Sequence, residues 1–338
     1  MTAGNPKPGH SGTVPSLEVA VHESTDPSMD DSALLTHVHF GNSGQRQAKE
    51  WSINSGLEVL QGSDFHFQNW YTSGQVRHGK HANIQYMGHP QVLFGHLQLD
   101  CLDSSDFQAL AMQAYQEIYD CLQSTACNHL LRTWNYFPGI TDPAGNQSSR
   151  YDLFCSGRLQ AMQACNAESS IYPAATVIGN QNPYLQIYFL AGDVSGIAVE
   201  NPRQTSAYDY PIANVQAPPL FSRGVLKHWS NCTHFYVSGT ASIVGHETRH
   251  VDDVGAQLNE SLNNVETLVV HANHRHRTQL NAQDDLLCMK VYVRHRRDVP
   301  HIQRVLAARL SSTTPRILLL GDMCRTDLLV EIEALYQS

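Results

Sequence analysis

Apolar residues recur at intervals of three or four along residues 107–122 and again along residues 254–262. This spacing places them on one face of an amphipathic helix, and a third, shorter helix is predicted over residues 299–310. A strand-like stretch follows each long helix, HLLRTWNYFPGI after the first and DDLLCMKVYVRHRRD after the second. The repeated order favours two related α/β units with a seam near residues 179–184, although helix followed by strand is common enough to arise by coincidence.

We therefore predict an α+β fold in which mixed sheets pack against helices in two α/β units. Residues 1–16 are rich in Gly, Pro, Ser and Thr and are predicted to be disordered. Residues 17–178 are predicted to form an N-terminal α/β domain, and residues 179–338 a C-terminal domain.

The last predicted strand carries two carboxylates within an apolar stretch. In Leu328–Leu335, alternate residues point to the same face, so Glu331 and Glu333 share a face with Leu329 and Leu335. A carboxylate in such a strand must be paired, be protonated or take part in chemistry. The pattern alone does not choose between these fates.

The amino-acid composition argues against several classes of function. The net charge of −9 argues against a nucleic-acid partner, and no stretch resembles a membrane span or a signal peptide. Eight cysteines without a C-x-x-C pair indicate a reduced, cytoplasmic protein. The 17 Arg against 5 Lys are compatible with a small anionic ligand, and equally with the codon bias of the source genome.

Two histidine-rich stretches suggest metal binding. HETRH (246–250) matches the zinc-protease signature, but Gly245 precedes it and Arg249 lies inside it, so we expect a polar helix N-terminus or the lining of a site and no metal. HANHRHR (271–277) has no spacing typical of a tight metal site, and we expect a solvated loop.

Three clusters of Arg and Tyr are candidates for binding a ligand with two carboxylates, which would leave Glu331 as the one acid among several cations. Alternatively, a nearby arginine would lower the pKa of Glu331 and form a structural ion pair. The clusters contain Arg150, Tyr151 and Arg158; Arg203, Tyr208 and Tyr210; and Arg304.

The C-terminal stretch PRILLLGDMCRTDLLVEIEAL resembles the end of the RidA/YjgF fold, in which an arginine fifteen residues before the first Glu lines a small-molecule site. Arg316 and Glu331 stand at that spacing. Over nearly the whole chain, the stretches RYDLF, GNQNPYLQIYF, ENPRQTSAYDYP, FYVSGTASIVGHET, KVYVR and CRTDLLVEIEAL resemble the chorismatases, which carry a RidA-like unit in a longer chain. The resemblance implies two RidA/YjgF-like units, a catalytic C-terminal unit, and no metal at GHET.

The overall pattern is most similar to chorismatases of the 3-hydroxybenzoate synthase type, including those that supply precursors of pigments and of ubiquinone. The resemblance implies that chorismate is converted to 3-hydroxybenzoate, with 4-hydroxybenzoate as a further candidate product, plus pyruvate, without a cofactor. Glu331 is implied as the acid that protonates the enolpyruvyl methylene, while Glu333 is expected to be paired or solvated. The residues implied to bind substrate are Arg150, Tyr151, Arg158, Arg203, Tyr208 and Arg304, and those implied to shape the product-determining pocket are Gly239, Ala241 and Cys324.

Two other functions stay open. The first is hydrolysis of chorismate to a dihydroxycyclohexadiene carboxylate plus pyruvate, although the resemblance implies that a Cys at position 324, as in the aromatising members, favours the aromatic product. The second is a RidA-type deaminase or small-ligand binding protein. No nucleic-acid or membrane partner is expected, and both a monomer and a trimer are compatible with the sequence.

Overall fold

The computed structural model describes residues 16–23, 33–41, 52–101, 106–144, 148–167, 172–211 and 217–338. Residues 1–15, most of the segment predicted to be disordered, lie outside these ranges. The helices are Phe107–Gln123 (α1), Arg150–Ala164 (α2), Val254–His276 (α3) and Val299–Arg309 (α4). The strands of the N-terminal half are Leu17–His22 (β1), Leu34–His39 (β2), Ser52–Asn54 (β3), Glu58–Val59 (β4), Phe67–Thr72 (β5), Arg77–His81 (β6), Ile84–His89 (β7), Val92–Asp100 (β8), His129–Pro138 (β9) and Ala174–Asn180 (β10). The remaining strands are Tyr184–Gly192 (β11), Ile197–Val199 (β12), Gly224–His228 (β13), Thr233–Ala241 (β14), Ile243–Val244 (β15), Glu247–Thr248 (β16), Leu286–Val293 (β17), Arg316–Leu320 (β18) and Val330–Gln337 (β19).

Two large sheets have the same core topology. A six-stranded sheet has the order β10-β9-β11-β8-β7-β6, and a seven-stranded sheet has the order β12-β13-β14-β19-β17-β18-β4. The chain order β8-α1-β9-α2-β10-β11 is repeated as β14-α3-β17-α4-β18-β19, and β9/β10 and β17/β18 are the parallel pairs of these sheets. The prediction of an α+β fold with two α/β units and mixed sheets packed against helices is confirmed.

The boundary between the units lies later than the residue numbers predicted from sequence. Strand β11 pairs with β8 and β9, so it belongs to the first sheet. A division at 178/179 would cut β10 and assign β11 to the wrong sheet. The first unit therefore ends at Gly192, the last residue of β11, because the buried backbone N–H and C=O groups of this strand form their hydrogen bonds within the first sheet.

The two sheets face each other, and each is covered on its outer face by its own helices. Trp134 and Tyr136 of β9 contribute to a central apolar cluster between the sheets, whereas Phe137 packs in the cluster beneath α1 and α2. On β19, Val330 and Ile332 pack in the cluster beneath α3 and α4. A four-stranded sheet, β1-β5-β2-β3, adds side chains to the central cluster. The side chains of Glu331 and Glu333 therefore point between the two units.

Local signals account for the helix ends. Asp106 and Asp253 accept backbone hydrogen bonds at the starts of α1 and α3, and Ser149 forms a capping box at the start of α2. The prediction of a loop over residues 271–277 is wrong for most of its length, because α3 continues to His276 and ends at Arg277 in a left-handed conformation. Cationic side chains in the last turn are favoured by the helix dipole. In the described part of the chain, no helix combines the length and the apolar character that crossing a membrane requires.

Candidate active site

Strands β14 and β19 place Glu331 beside a glycine at the start of an irregular stretch of sheet. Ala241 is the partner of Glu331 in the ladder, and the register shifts between Val237 and Thr240. A Cβ atom on Gly239 would collide with Oε1 of Glu331. The absence of a side chain at position 239 therefore creates the space that the Glu331 carboxyl occupies.

Glu331 lines a cavity of about 700 Å³ between the two units. Its walls include Tyr151 of α2 and Val177 of β10 from the first unit, and Gly239 and Ala241 of β14 from the second. Cys324, in the turn before β19, lies in the same wall. Six of the candidate residues from the sequence thus meet at one cavity: Glu331, Gly239, Ala241, Cys324, Tyr151 and Tyr210.

The Glu331 carboxyl is held in its neutral form at neutral pH. Glu331 is 5% exposed. Burial, and then the charge of Glu333, raises the pKa of its carboxyl group to about 8, although the charges of Arg132 and Arg223 act in the opposite direction. Burial disfavours the charged form of a carboxyl group, and a neighbouring carboxylate does so as well. Glu331 can therefore carry a proton into a reaction at pH 7.

Glu333, two residues further along the same face, is ionised. Burial alone would raise its pKa, but the charges of Lys290 and Arg132 and hydrogen bonds from its neighbours lower it to about 2. Its expected pairing is thus found in the structure, with donors from both units. The contacts are Arg132 Nη2 (2.8 Å), Trp134 Nε1 (2.8 Å), Thr176 Oγ1 (2.5 Å), Tyr292 Oη (3.0 Å) and Lys290 Nζ (2.9 Å).

Two arginines that the sequence analysis did not select supply positive charge to the cavity. Arg223 is buried and donates to the carbonyl of Thr205 and the hydroxyl of Tyr210, and its Nε has no hydrogen-bond partner in the described part of the chain. Arg325 donates to the carbonyl of His246. Both guanidinium groups lie 5.8 Å from the ring centroid of Tyr210. Together they can receive an anionic ligand near Glu331.

The signals for these two arginines were weak in the sequence. Arg325 follows Cys324 directly in the stretch CRTDLLVEIEAL, and Arg223 precedes the apolar strand β13. Arginines next to apolar strands are common, and only the sheet pairing brings these two to one cavity. The position of these two arginines therefore depends on contacts between distant parts of the chain, which a local sequence pattern does not predict.

The other arginines predicted to bind substrate have different surroundings. Arg150 lies over the ring of Phe107 and donates to the carbonyls of Cys101 and Pro138. Arg203 forms an ion pair with Glu260. These contacts hold both guanidinium groups outside the lining of the Glu331 cavity.

Tyr208, Arg304, Arg316 and Arg158 also lie outside that lining. Tyr208 packs on Tyr172, with ring centroids 4.8 Å apart, and Arg304 is exposed on α4. Arg316 faces Asp64, with Nε and Oδ2 3.5 Å apart, while Arg158 lines a separate cavity. These residues were selected from sequence patterns, but the fold places them away from the Glu331 cavity.

The HETRH stretch forms no zinc-binding helix. Residues 243–248 form the hairpin β15-β16, and α3 begins only at Val254. His250 has a φ of 57°, and it contacts Glu260 rather than His246. No cluster of metal-ligating side chains occurs among the residues that the structure describes. His246 instead lines the Glu331 cavity, as the site-lining interpretation predicted, whereas the expected helix N-terminus is wrong.

The thiol of Cys324 is a neutral part of the cavity wall. Burial, and then the charge of Glu331, raises its pKa to about 12. A neutral thiol behaves as a small apolar group with a weak S–H donor. Cys324 therefore narrows the cavity next to Glu331 without adding charge.

Several known proteins are similar to this chain in sequence. A family model described as "Chorismatase FkbO/Hyg5-like, N-terminal" matches residues 68–191. A chorismatase of Streptomyces rapamycinicus is 35% identical over 272 residues, covering 78% of this chain and 80% of its own. A 3-hydroxybenzoate synthase of Streptomyces hygroscopicus is 31% identical over 272 residues, covering 78% of this chain and 79% of its own.

Solved structures give a similar result. The crystal structure of a chorismatase matches 96% of this chain and 100% of its own with a TM-score of 0.84 and 28% identity. RidA from an Antarctic Psychrobacter matches 42% of this chain and 99% of its own, with a TM-score of 0.32 and 17% identity. The first of these similarities extends over both α/β units.

Proposed function

The chain belongs to the chorismatase family of enzymes, and from this premise we propose that it converts chorismate to 3-hydroxybenzoate and pyruvate. The observation that carries the proposal is a carboxyl group, Glu331, whose pKa is raised to about 8 in a cavity that also contains Arg223 and Arg325. A relative that covers most of the chain is named a 3-hydroxybenzoate synthase. An acid that keeps its proton near neutrality, next to cations, suits a dianionic substrate that must be protonated.

In this proposal, Arg223 and Arg325 bind the carboxylates of chorismate. Arginine recognises carboxylates through charge-assisted hydrogen bonds, which are worth about 1.5–3 kcal/mol each. The position of both arginines in the lining of the Glu331 cavity supports this role. Tyr210 accepts a hydrogen bond from Arg223, and its ring lies 5.8 Å from both guanidinium groups, so it helps to position them.

Glu331 then transfers its proton to the terminal methylene of the enolpyruvyl group. The electron pair of the C=C bond forms the new C–H bond, and the ether becomes an oxocarbenium ion. General acid catalysis of this kind typically contributes about 10²–10⁴-fold to the rate. The negative charges of the bound substrate offset the positive charges of the arginines. Glu331 therefore keeps its proton when the substrate binds.

The oxygen of the C4 hydroxyl bonds to the cationic carbon and releases its proton. Loss of the proton on C3 then forms the C3–C4 double bond as the C4–O bond breaks, and the remaining hemiketal collapses to pyruvate and the phenolate oxygen on C3, which takes up the proton that the hydroxyl released. The two products together contain all the atoms of chorismate, so neither an oxidant nor a net water is consumed. A proton lost from the ring returns the Glu331 carboxylate to its acid form. The chain's own residues suffice for these steps, and no cofactor enters the proposal.

The alternative outcome is attack by water, which gives the dihydroxycyclohexadiene carboxylate. A competing water needs about 30 Å³ and two to four polar partners. We infer that Cys324, Ala241 and Gly239 decide between the two outcomes, because all three adjoin the Glu331 side of the cavity and none of their side chains carries charge. The apolar wall disfavours the water and hence favours 3-hydroxybenzoate, with 4-hydroxybenzoate as a minor candidate.

Incubation of the purified protein with chorismate, followed by chromatographic identification of the products, tests the proposal. We expect 3-hydroxybenzoate and pyruvate in equal amounts. A dihydroxycyclohexadiene carboxylate as the main product would favour the hydrolytic alternative. Failure to consume chorismate would contradict the proposal and return attention to a RidA-type deaminase or binding protein.

We further propose that the enzyme works in the cytoplasm and supplies a precursor for a pigment or for ubiquinone. The support for the compartment is that all eight cysteines are free, five of them buried. Disulfides form and persist in oxidising compartments. Fractionation of cells, together with the effect of a deletion on pigment and quinone content, tests both parts.

A further inference from the structure

A second cavity, of about 260 Å³, lies beside helix α2. Its lining includes Arg158 and Met162 of α2, Tyr115 and Tyr119 of α1, and Tyr172 before β10. None of its lining residues lines the Glu331 cavity. The two cavities are thus separate, although both border α2.

Arg158 is a buried cation in this second cavity. The residue is 3% exposed, and among the described residues Tyr115 hydrogen-bonds its guanidinium group, whereas Nε and Nη1 have no hydrogen-bond partner. Among the described residues, no carboxylate lies within 4 Å of its guanidinium group. An arginine cannot lose its proton in a protein, so the positive charge persists.

The local aromatic rings offset only part of this charge. The guanidinium carbon lies 5.6 Å from the ring centroids of both Tyr115 and Phe154. Cation–π contacts are weak compared with the cost of burying an ion without a counter-charge. By contrast, Arg132 lies 2.8 Å from the Glu333 carboxylate. The residues that the structure describes therefore leave the charge of Arg158 without a counter-charge.

We propose that this second cavity binds a small aromatic carboxylate, with its carboxylate on Arg158 and its ring among the tyrosines. The walls combine tyrosine and aliphatic side chains with polar groups that include Arg158, Asn128 and His129, and such a mixture suits a small organic ligand with one charged group. Stacked or edge-on aromatic contacts add to the stabilisation that burial of a ring provides. The volume accommodates a single ring with one carboxylate.

The test uses 4-fluorobenzoate as the probe and ¹⁹F NMR of the full chain as the readout. We expect a bound signal that is lost in Arg158→Met and persists in Arg297→Met, a matched substitution of an exposed arginine. Because the probe can also enter the Glu331 cavity, Arg325→Met serves to assign any signal from there. The signal of the second cavity persists in that variant.

A second variant keeps Arg158 and fills the space instead. Cys165 lines the second cavity at the end of α2 and is only partly buried, so Cys165→Trp should block the cavity without removing a core side chain. We expect the same bound signal to be lost, with a melting temperature close to that of the parent protein. The proposal is overturned if no bound signal depends on position 158, or if Cys165→Trp folds and leaves that signal unchanged.

Discussion

Glu331 and Glu333 occupy the same face of β19, yet their surroundings give them opposite protonation states. Glu331 adjoins a cavity and has Ala241 and Tyr292 as ladder partners, and its pKa is raised to about 8. Glu333 lies opposite Lys290, faces Arg132 of the first unit, and has its pKa lowered to about 2. Both residues are 5% exposed, so burial alone does not explain the difference.

The comparison shows that the side chains packed against each carboxyl group, from β17 and from the facing sheet, decide its protonation state, because both groups lie on the same face of β19. Each group loses hydration to a similar extent, but only Glu333 gains two cations and three neutral donors. A paired carboxylate supports the contact between the two units. An unpaired one beside a cavity retains a proton and is available for chemistry.

The largest effect is expected from Glu331→Gln. Glutamine keeps the shape of the side chain but has no acidic proton, so kcat should fall by about 10²–10⁴-fold, while chorismate binding and folding are retained. Steady-state kinetics and a binding titration measure the two parts. If the variant kept most of the parental kcat, another group would have to be the acid.

Glu333→Gln should act on stability first. It leaves Lys290 and Arg132 buried without their counter-charge, and breaking a buried pair costs about 3–5 kcal/mol. Denaturant unfolding at pH 7 measures this loss. A variant as stable as the parent would show that the pairing of Glu333 does not hold the units together.

The stabilisation that Glu333 provides should depend on pH, and the Glu333→Gln variant reveals this dependence. A pKa of about 2 in the folded protein lies below the value of about 4.3 in an unfolded chain, so the stabilisation is fully present above pH 4–5 and is lost as the pH falls toward 2. The stability difference between the parent protein and Glu333→Gln should therefore shrink in acid. A constant difference would contradict ionisation of Glu333.

Arg223→Met and Arg325→Met should each raise KM by about 10- to 100-fold, which corresponds to the loss of a charge-assisted contact of about 1.5–3 kcal/mol. Arg203→Met and Arg304→Met serve as matched controls and also test the sequence-based prediction that these two bind substrate. Their side chains lie outside the Glu331 cavity. A larger KM effect in the second pair than in the first would restore the prediction from sequence.

The smallest effect on rate is expected from Cys324→Ala. The smaller side chain opens space for a water near the cation, so the product should shift from hydroxybenzoate toward the dihydroxycyclohexadiene carboxylate while chorismate is still consumed. Chromatography of the product mixture measures the ratio. An unchanged ratio at normal turnover would show that Cys324 does not control access of water.

Features that depend on periodic or local sequence patterns, such as helices and the faces of strands, could be predicted from the sequence. The alternation in β19 placed Glu331 and Glu333 on one face, although Leu329, expected on that face, packs on the helix side because it precedes the strand. Helical spacing located α1, α3 and α4. Arg223 and Arg325 could not be selected in this way, because their approach to Glu331 depends on loops and on pairing between distant strands.

The contrast between the two carboxyl groups can be measured directly by ¹³C NMR titration of protein labelled at the glutamate carboxyl carbons. Spectra of Glu331→Gln and Glu333→Gln assign the two resonances. We predict that the Glu331 resonance titrates near pH 8, and that the Glu333 resonance remains that of a carboxylate down to the acid limit of the folded state. A Glu331 resonance that titrates between pH 4 and 5, as in a solvated glutamate, would contradict its assignment as the proton donor.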